Sequence, residues 1–374
     1  MSRARRRWMY VVVVMVMNVA LIAGALRTSR PAPVVHRLAP VKMVAAGGAS
    51  NRAFLQGDAL AKIFEDGGLD LQMTEGFGSG EIADSQNLVT YDIAFPAGIA
   101  TAQQVRRKLL DDVRYQAPQI SVYSTPLVVL TWRPLLPLLE ELRVAVADAD
   151  GAWRFDVEKY LDVVRAGVRW DKIAGNRFYD NPNRVLLTVP DPAQANLGKM
   201  FLASAGYALN RRNVVADEKQ AGSVAGKIAP AFRELGQLLP SADRVFTAYQ
   251  TNLINGAPMV LAYESDYIGA RLAKPPRLPD DAVMMYLTPA VMSENILVPV
   301  NAKGTTAAAA RLFTSDAVQR LAENVYGFRC ARFDFATDMR AHRLTVPAKL
   351  FPVPLPEASV MKELVDAVKA KRAD

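Results

Sequence analysis

The chain has 374 residues, enough for two lobes of roughly 100–200 residues with a sizeable core in each. Apolar residues make up 51% and charged residues 22%, which is ordinary globular usage and calls for no long disordered tail. The net charge is +8, but Arg3, Arg5, Arg6 and Arg7 supply four of those charges and the rest are scattered, so no basic face for nucleic acid is expected.

A lone cysteine, Cys330, cannot form an internal disulfide. The two histidines, His36 and His342, are far apart and no His-Glu-x-x-His or Cys/His spacing occurs, so neither a metal nor a cofactor is expected. Residues 8–26 (WMYVVVVMVMNVALIAGAL) are uncharged, and as a helix rising ~1.5 Å per residue they just span a hydrocarbon layer of ~30 Å. The arginines of residues 1–7 stay cytoplasmic under the positive-inside bias, which exports everything after Leu26. Two readings stand: an uncleaved anchor, or a signal sequence cut after Ala23-Gly24-Ala25. The expected location is therefore the cell membrane with the folded part extracytoplasmic, or the periplasm or exterior if the signal is removed. Residues 27–40, with three prolines, form a stiffened linker.

Strand and helix signals alternate from Val41. Residues 41–46 form a short apolar strand, and Ser50 caps a helix that buries Ala53, Leu60, Ile63 and Phe64 and closes at Gly67-Gly68. Leu69, Leu71 and Met73 alternate with polar neighbours as a half-buried strand does. Gly76-Phe77-Gly78-Ser79-Gly80 turns into a short helical stretch. Residues 91–95 form a strand, 101–111 a helix, and 119–123 and 127–131 two strands separated by Ser124-Thr125-Pro126. Asp156 caps a helix bearing Val157, Tyr160, Leu161 and Val164 on one face. Residues 185–189 read as a strand, followed by Asp191-Pro192 and a helix through Met200 and Leu202. Ser241 caps a helix that ends at Asn255-Gly256, after which residues 258–263, 284–287 and 296–300 read as strands. A helical stretch over 306–326 breaks near Thr314-Ser315, and a tail helix carries Val360, Met361, Leu364, Val365 and Val368 on one face. The alternation predicts an α/β fold with mostly parallel strands.

Seven segments, in this order, carry a family resemblance: VKMVAAGGASN at 41–51, MTEGFGSGEIA at 73–83, YDIAFPAG at 91–98, YSTPLVVLTW at 123–132, VLLTVPDPAQANLGKMF at 185–201, APMVLAYES at 257–265, and the stretch from Tyr286 to SDAVQRLAENVYGFR at 315–329. Together they resemble bacterial extracytoplasmic solute-binding proteins of the type II periplasmic-binding fold, the substrate-binding components of ABC-type importers. The resemblance implies a two-lobed α/β fold with hinge strands and a central cleft, lobe 1 being residues 41–125 and 284–374 and lobe 2 residues 126–283. It also implies a small polar ligand, a membrane permease as partner, and no enzymatic activity. One departure is visible: Ala195 and Leu197 stand where the family often has hydroxyl residues after Asp191-Pro192, so either the ligand differs or the site has degenerated.

Ligands of open α/β sheets sit beyond the carboxyl ends of the strands, where helix starts offer unpaired N–H groups. The candidate ligand contacts are therefore Gly48, Ser50 and Asn51 at one helix start, Gly78 and Ser79 at a second, and Asp191 and Asn196 from the opposite lobe. Tyr123, Ser124, Glu264 and Tyr286 join them as residues at or beside strand ends; core packing is the competing role for the tyrosines, and a solvated strand end for Glu264. No Gly-x-Ser-x-Gly elbow or comparable catalytic set occurs, which leaves a hydrolase remote. The rival to transport is a membrane-anchored envelope sensor or scaffold built on the same fold, with another envelope protein as its partner.

Overall fold

The computed structural model describes residues 40–48, 52–77, 82, 88–110, 119–301 and 307–373. The expected anchor at 8–26 and the candidates Ser50, Asn51, Gly78 and Ser79 lie outside the described residues. Among the described residues no helix is long and apolar enough to cross a membrane. Residues Val41–Asp374 form one compact unit.

The unit begins with β1 (Val41–Gly48), α1 (Arg52–Leu55), α2 (Asp58–Asp66), β2 (Leu69–Phe77), β3 (Ile93–Phe95) and α3 (Ile99–Leu110). A long β4 (Ile120–Trp132) leads to α4 (Leu136–Glu141), β5 (Ala145–Ala147), β6 (Trp153–Asp156) and α5 (Val157–Arg165). Three helices follow, α6 (Asn196–Leu209), α7 (Glu218–Glu234) and α8 (Ala242–Gly256), then β7 (Val260–Tyr263) and α9 (Glu264–Leu272). The chain ends with β8 (Ala282–Thr288), β9 (Met292–Pro299), α10 (Ala307–Phe313), α11 (Asp316–Asn324), α12 (Phe335–Ala341) and α13 (Ala358–Ala373). The foreseen caps hold: Asp156 accepts from Lys159 N–H at 3.0 Å and Ser241 from Arg244 N–H at 3.3 Å, each satisfying an orphan donor of the first turn.

The strands run β2-β1-β3-β9-β4-β8-β6-β5, with β7 paired to β4 off this path. Pairings β1–β2, β1–β3 and β6–β8 are parallel, whereas β3–β9, β4–β7, β4–β8, β4–β9 and β5–β6 are antiparallel. The sheet is therefore mixed, not mostly parallel. The reason is that β4 and β9 each run against every strand they pair with.

Period-two alternation sorts side chains between the faces of the first half of the sheet. Ala45, Ile93, Phe95 and Leu297 enter one core with Phe54, Phe64, Phe313 and Val318. Ala46, Ala94, Ile296 and Val298 enter the opposite layer with Ala102 and Val105 of α3. A larger core gathers the second half of β4, β7, β8 and helices α4 to α9. Strand β4 belongs to both, giving Val122 and Tyr123 to the first core and Leu127 to Leu130 to the second.

Four local expectations change. The single helix foreseen after Ser50 divides at Gly57, whose backbone is extended. The two strands around Ser124-Thr125-Pro126 are one continuous β4. Pro126 lacks a donor but sits where β4 exchanges β9 for β7 and β8, so no ladder is interrupted. Residues 185–189 form no strand, only isolated bridges at Arg184 and Thr188. Finally, residues 284–374 do not all join the first lobe: β8 and the stripe Val360, Leu364, Val365 and Val368 of α13 pack in the larger core.

Candidate interlobe binding site

Between the two cores lies a cavity of about 950 Å³. Phe54, Tyr326 and Phe328 line it from the first core and Phe246 and Leu272 from the larger one. Its polar lining comes from helix starts: Asp243 in the first turn of α8, and Ser265 and Asp266 in the first turn of α9. Arg271, Lys274, Arg277, Asn324 and His342 complete the polar lining.

Asp266 accepts the Tyr263 N–H at 3.0 Å, which closes the turn between β7 and α9. Burial nevertheless pushes its carboxyl up to about 7, reinforced by the charge of Asp243 and opposed by the Tyr263 N–H and Arg277. Asp243 stands at the open mouth, where the enclosing walls raise its carboxyl against the pull of Arg52. Ser265 is only 7% exposed although it lines the cavity, and its N–H donates to Thr125 Oγ1 of β4 at 3.1 Å.

None of the sequence candidates among the described residues lines this cavity. Gly48 ends β1, paired with Phe77 after a bulge. Tyr123 is buried in the first core, stacked on Phe328 with centroids 4.1 Å apart and edge-on to Phe54. Burial holds its hydroxyl proton far above the ordinary phenol range. Ser124 exchanges backbone hydrogen bonds with Arg329, at 2.9 and 2.8 Å.

Glu264 has no exposed surface; it accepts from Arg329 Nε at 2.6 Å, from Arg329 Nη2 at 2.7 Å and from the Tyr286 hydroxyl. Of the three neighbours at the start of α9, the helical turn aims Glu264 inward and leaves Ser265 and Asp266 on the cavity. The residue named from the sequence, Glu264, is the one that turns away from the cavity. The signal that could have found the others is the strand-to-helix junction itself, Tyr263 to Asp266.

Asp191 caps its own turn, accepting Ala193 N–H at 2.9 Å and Gln194 Nε2 at 2.8 Å. Asn196 turns its amide along its own helix, Nδ2 donating to Met200 Sδ at 3.2 Å. Ala195 occupies the N-cap of α6 and has no side chain to cap it. Gly198 is a packing residue, because a Cβ there would stand 2.4 Å from the Pro190 carbonyl oxygen.

Two α/β cores share β4, with a cavity between them, the arrangement that the sequence resemblance implies. No protein-family model matches the sequence, and no curated protein matches it. Solved structures do. The sulfate-binding protein SubI from Mycobacterium tuberculosis superposes with TM-score 0.51 at 15% identity, over 86% of this chain and 96% of that one. A periplasmic thiamin binding protein gives 0.53 at 13%, over 90% and 97%. The GacH receptor of Streptomyces glaucescens, solved also with acarbose, gives 0.53 at 11%, over 89% and 94%. These neighbours are binding proteins rather than enzymes.

Proposed function

We propose that the chain captures a small ligand between its two cores as the extracytoplasmic binding component of an ABC-type importer. The observation behind this reading is the cavity of about 950 Å³ lined by aromatic side chains of both cores and by the first turns of α8 and α9. Its volume falls in the ~300–1,000 Å³ range of small-molecule sites, whose walls are mostly apolar with a few placed polar groups. The neighbours whose names specify sulfate, thiamin or acarbose support capture of a solute without naming this one. Residues 8–26 serve in this reading as membrane anchor or export signal, which places the unit outside the cytoplasm beside a permease.

The test is a thermal-shift and calorimetric screen of the full-length protein against sugars, oxyanions, amines and amino acids. A ligand at a hundred times its Kd stabilises the folded state by ~2.7 kcal/mol. A hit lost on Phe246→Ala, with the variant's melt otherwise intact, supports capture at this cavity. Silence across the panel favours the envelope sensor or scaffold.

A further inference from the structure

We propose that the interlobe cavity selects an organic cation: an ammonium group held by Asp243 and Asp266, with its apolar body against Phe246, Tyr326 and Phe54. This deepens the capture reading and rests on it.

The first ground is charge. Two carboxyls from two different helices face one cavity, and neither is held in an ion pair among the described residues. Arg52 acts on Asp243 and Arg277 on Asp266 from beyond salt-bridge distance. Arg271, the cation nearest in sequence, is already spent on the Leu278 and Pro279 carbonyls and on Asp280. Each carboxyl is answered by the partial positive charge of its own helix start and a distant arginine but by no salt bridge, and the repulsion of Asp243 on Asp266 favours a cation between them. A bound ammonium supplies what is missing.

The second ground is the wall. Phe54 meets Tyr326 edge-on at 5.2 Å and Phe328 at 6.0 Å, so one side of the cavity is an aromatic cluster. Phe246 lines the other side. Aromatic faces attract cations that have left bulk water. Ser265, nine-tenths buried yet lining the cavity, places a hydroxyl beside the carboxyls as a further acceptor. An anion entering the same space would meet Asp243 and Asp266 directly. It would also meet Lys274 and Arg277 at the exposed rim, and Arg271, whose guanidinium is engaged by the Leu278 and Pro279 carbonyls and Asp280.

Proton linkage gives a separate signature. Around Asp266 stand Asp243, Arg277 and the Tyr263 N–H, with Arg271 also lining the cavity and Lys274 and His342 on the rim. Because its carboxyl sits near 7, Asp266 carries a fractional proton at neutral pH that an arriving cation displaces.

The experiment is calorimetry on the full-length protein with benzylamine and choline as cationic probes, and with benzyl alcohol, benzoate and sulfate as neutral and anionic controls. The expected result is binding of an amine at least tenfold tighter than benzyl alcohol or benzoate, weakened at least tenfold by Asp243→Asn. Titrations in buffers of different ionisation enthalpy are expected to reveal proton release that Asp266→Asn abolishes. Binding of benzoate or sulfate that Phe246→Ala removes, without amine binding, overturns the cation assignment while leaving capture intact. Amine affinity unchanged in both Asp→Asn variants overturns it as well. No heat and no thermal shift from any probe, in a protein with a cooperative melt, overturns the cation assignment; failure of the wider solute screen then removes capture too.

Discussion

Glu264 is the residue whose loss has the clearest consequence. Its carboxylate is sealed from water and answered by a two-pronged Arg329 contact and the Tyr286 hydroxyl. Removing one partner of such a pair leaves a buried charge uncompensated, a cost of about 3–5 kcal/mol. Arg329→Met is therefore expected to lower stability by that amount in urea titration. The double change Arg329→Met with Glu264→Leu is expected to recover most of it, since no charge is then stranded. A second acid behaves oppositely. Glu323 on α11 is fully buried, and that burial, together with Asp338 alongside, pushes its carboxyl up to about 8. The folded state binds this proton more tightly than the unfolded chain does, so the stabilisation is complete below the ordinary glutamate range and is lost as pH rises through about 8. The melting temperature is expected to fall from pH 5 to pH 9, and Glu323→Gln is expected to flatten the upper part of that fall. A profile unchanged by the substitution removes Glu323 as its source. Neither behaviour was legible beforehand, because a sequence gives the acid and not the side of the helix on which it turns inward.

Among the elements, α13 shows how far pattern reading reaches. The stripe Val360, Met361, Leu364, Val365 and Val368 was readable from its spacing; Val360, Leu364, Val365 and Val368 are buried and Met361 is half-buried. Which core received it was not readable, because an apolar stripe specifies burial without an address. These four side chains contribute roughly 1.5–3 kcal/mol each, against a total of about 5–15 kcal/mol for a typical domain. Deleting residues 358–374 is therefore expected to leave the protein without a cooperative melt by circular dichroism, whereas cutting only at Lys371 is expected to be tolerated. The caps at Asp156 and Ser241 and the resembling segments were legible because they are local chemistry. Residues 185–189 were misread because an apolar run pairs as a strand only when a neighbour is in register along its length, and here only Thr188 meets β7. The site itself was half legible. The junction after β7 was identified, but Asp243 and Tyr326 come from distant segments that only the tertiary fold brings to one cavity.

At the scale of the whole molecule, the question is what resists closure. Strand β4 crosses between the cores with β9 paired to its first half, which leaves rotation about it soft. Two further ties span the same gap. Arg329, between the buried Phe328 and Cys330 of the first core, grips Glu264 at the start of α9. Gly327, with φ of +72°, lets the end of α11 lie against α9 so closely that a Cβ would stand 2.5 Å from Ile268 Cβ. The Arg329 tie lies beside β4, where Arg329 pairs with Ser124, and the Gly327 contact lies on the cavity wall beside Gly269, so together they stiffen the pivot and that wall. Spin labels at Ala53 of α1 and Arg244 of α8, on opposite sides of the mouth, are expected to approach one another when a captured ligand is added. Gly327→Ala forces the α9–α11 contact apart and is expected to broaden the ligand-free distance distribution before it abolishes binding. A distance that does not change with saturating ligand would mean that the cavity is a rigid pocket, with the pivot held by all three connections at once.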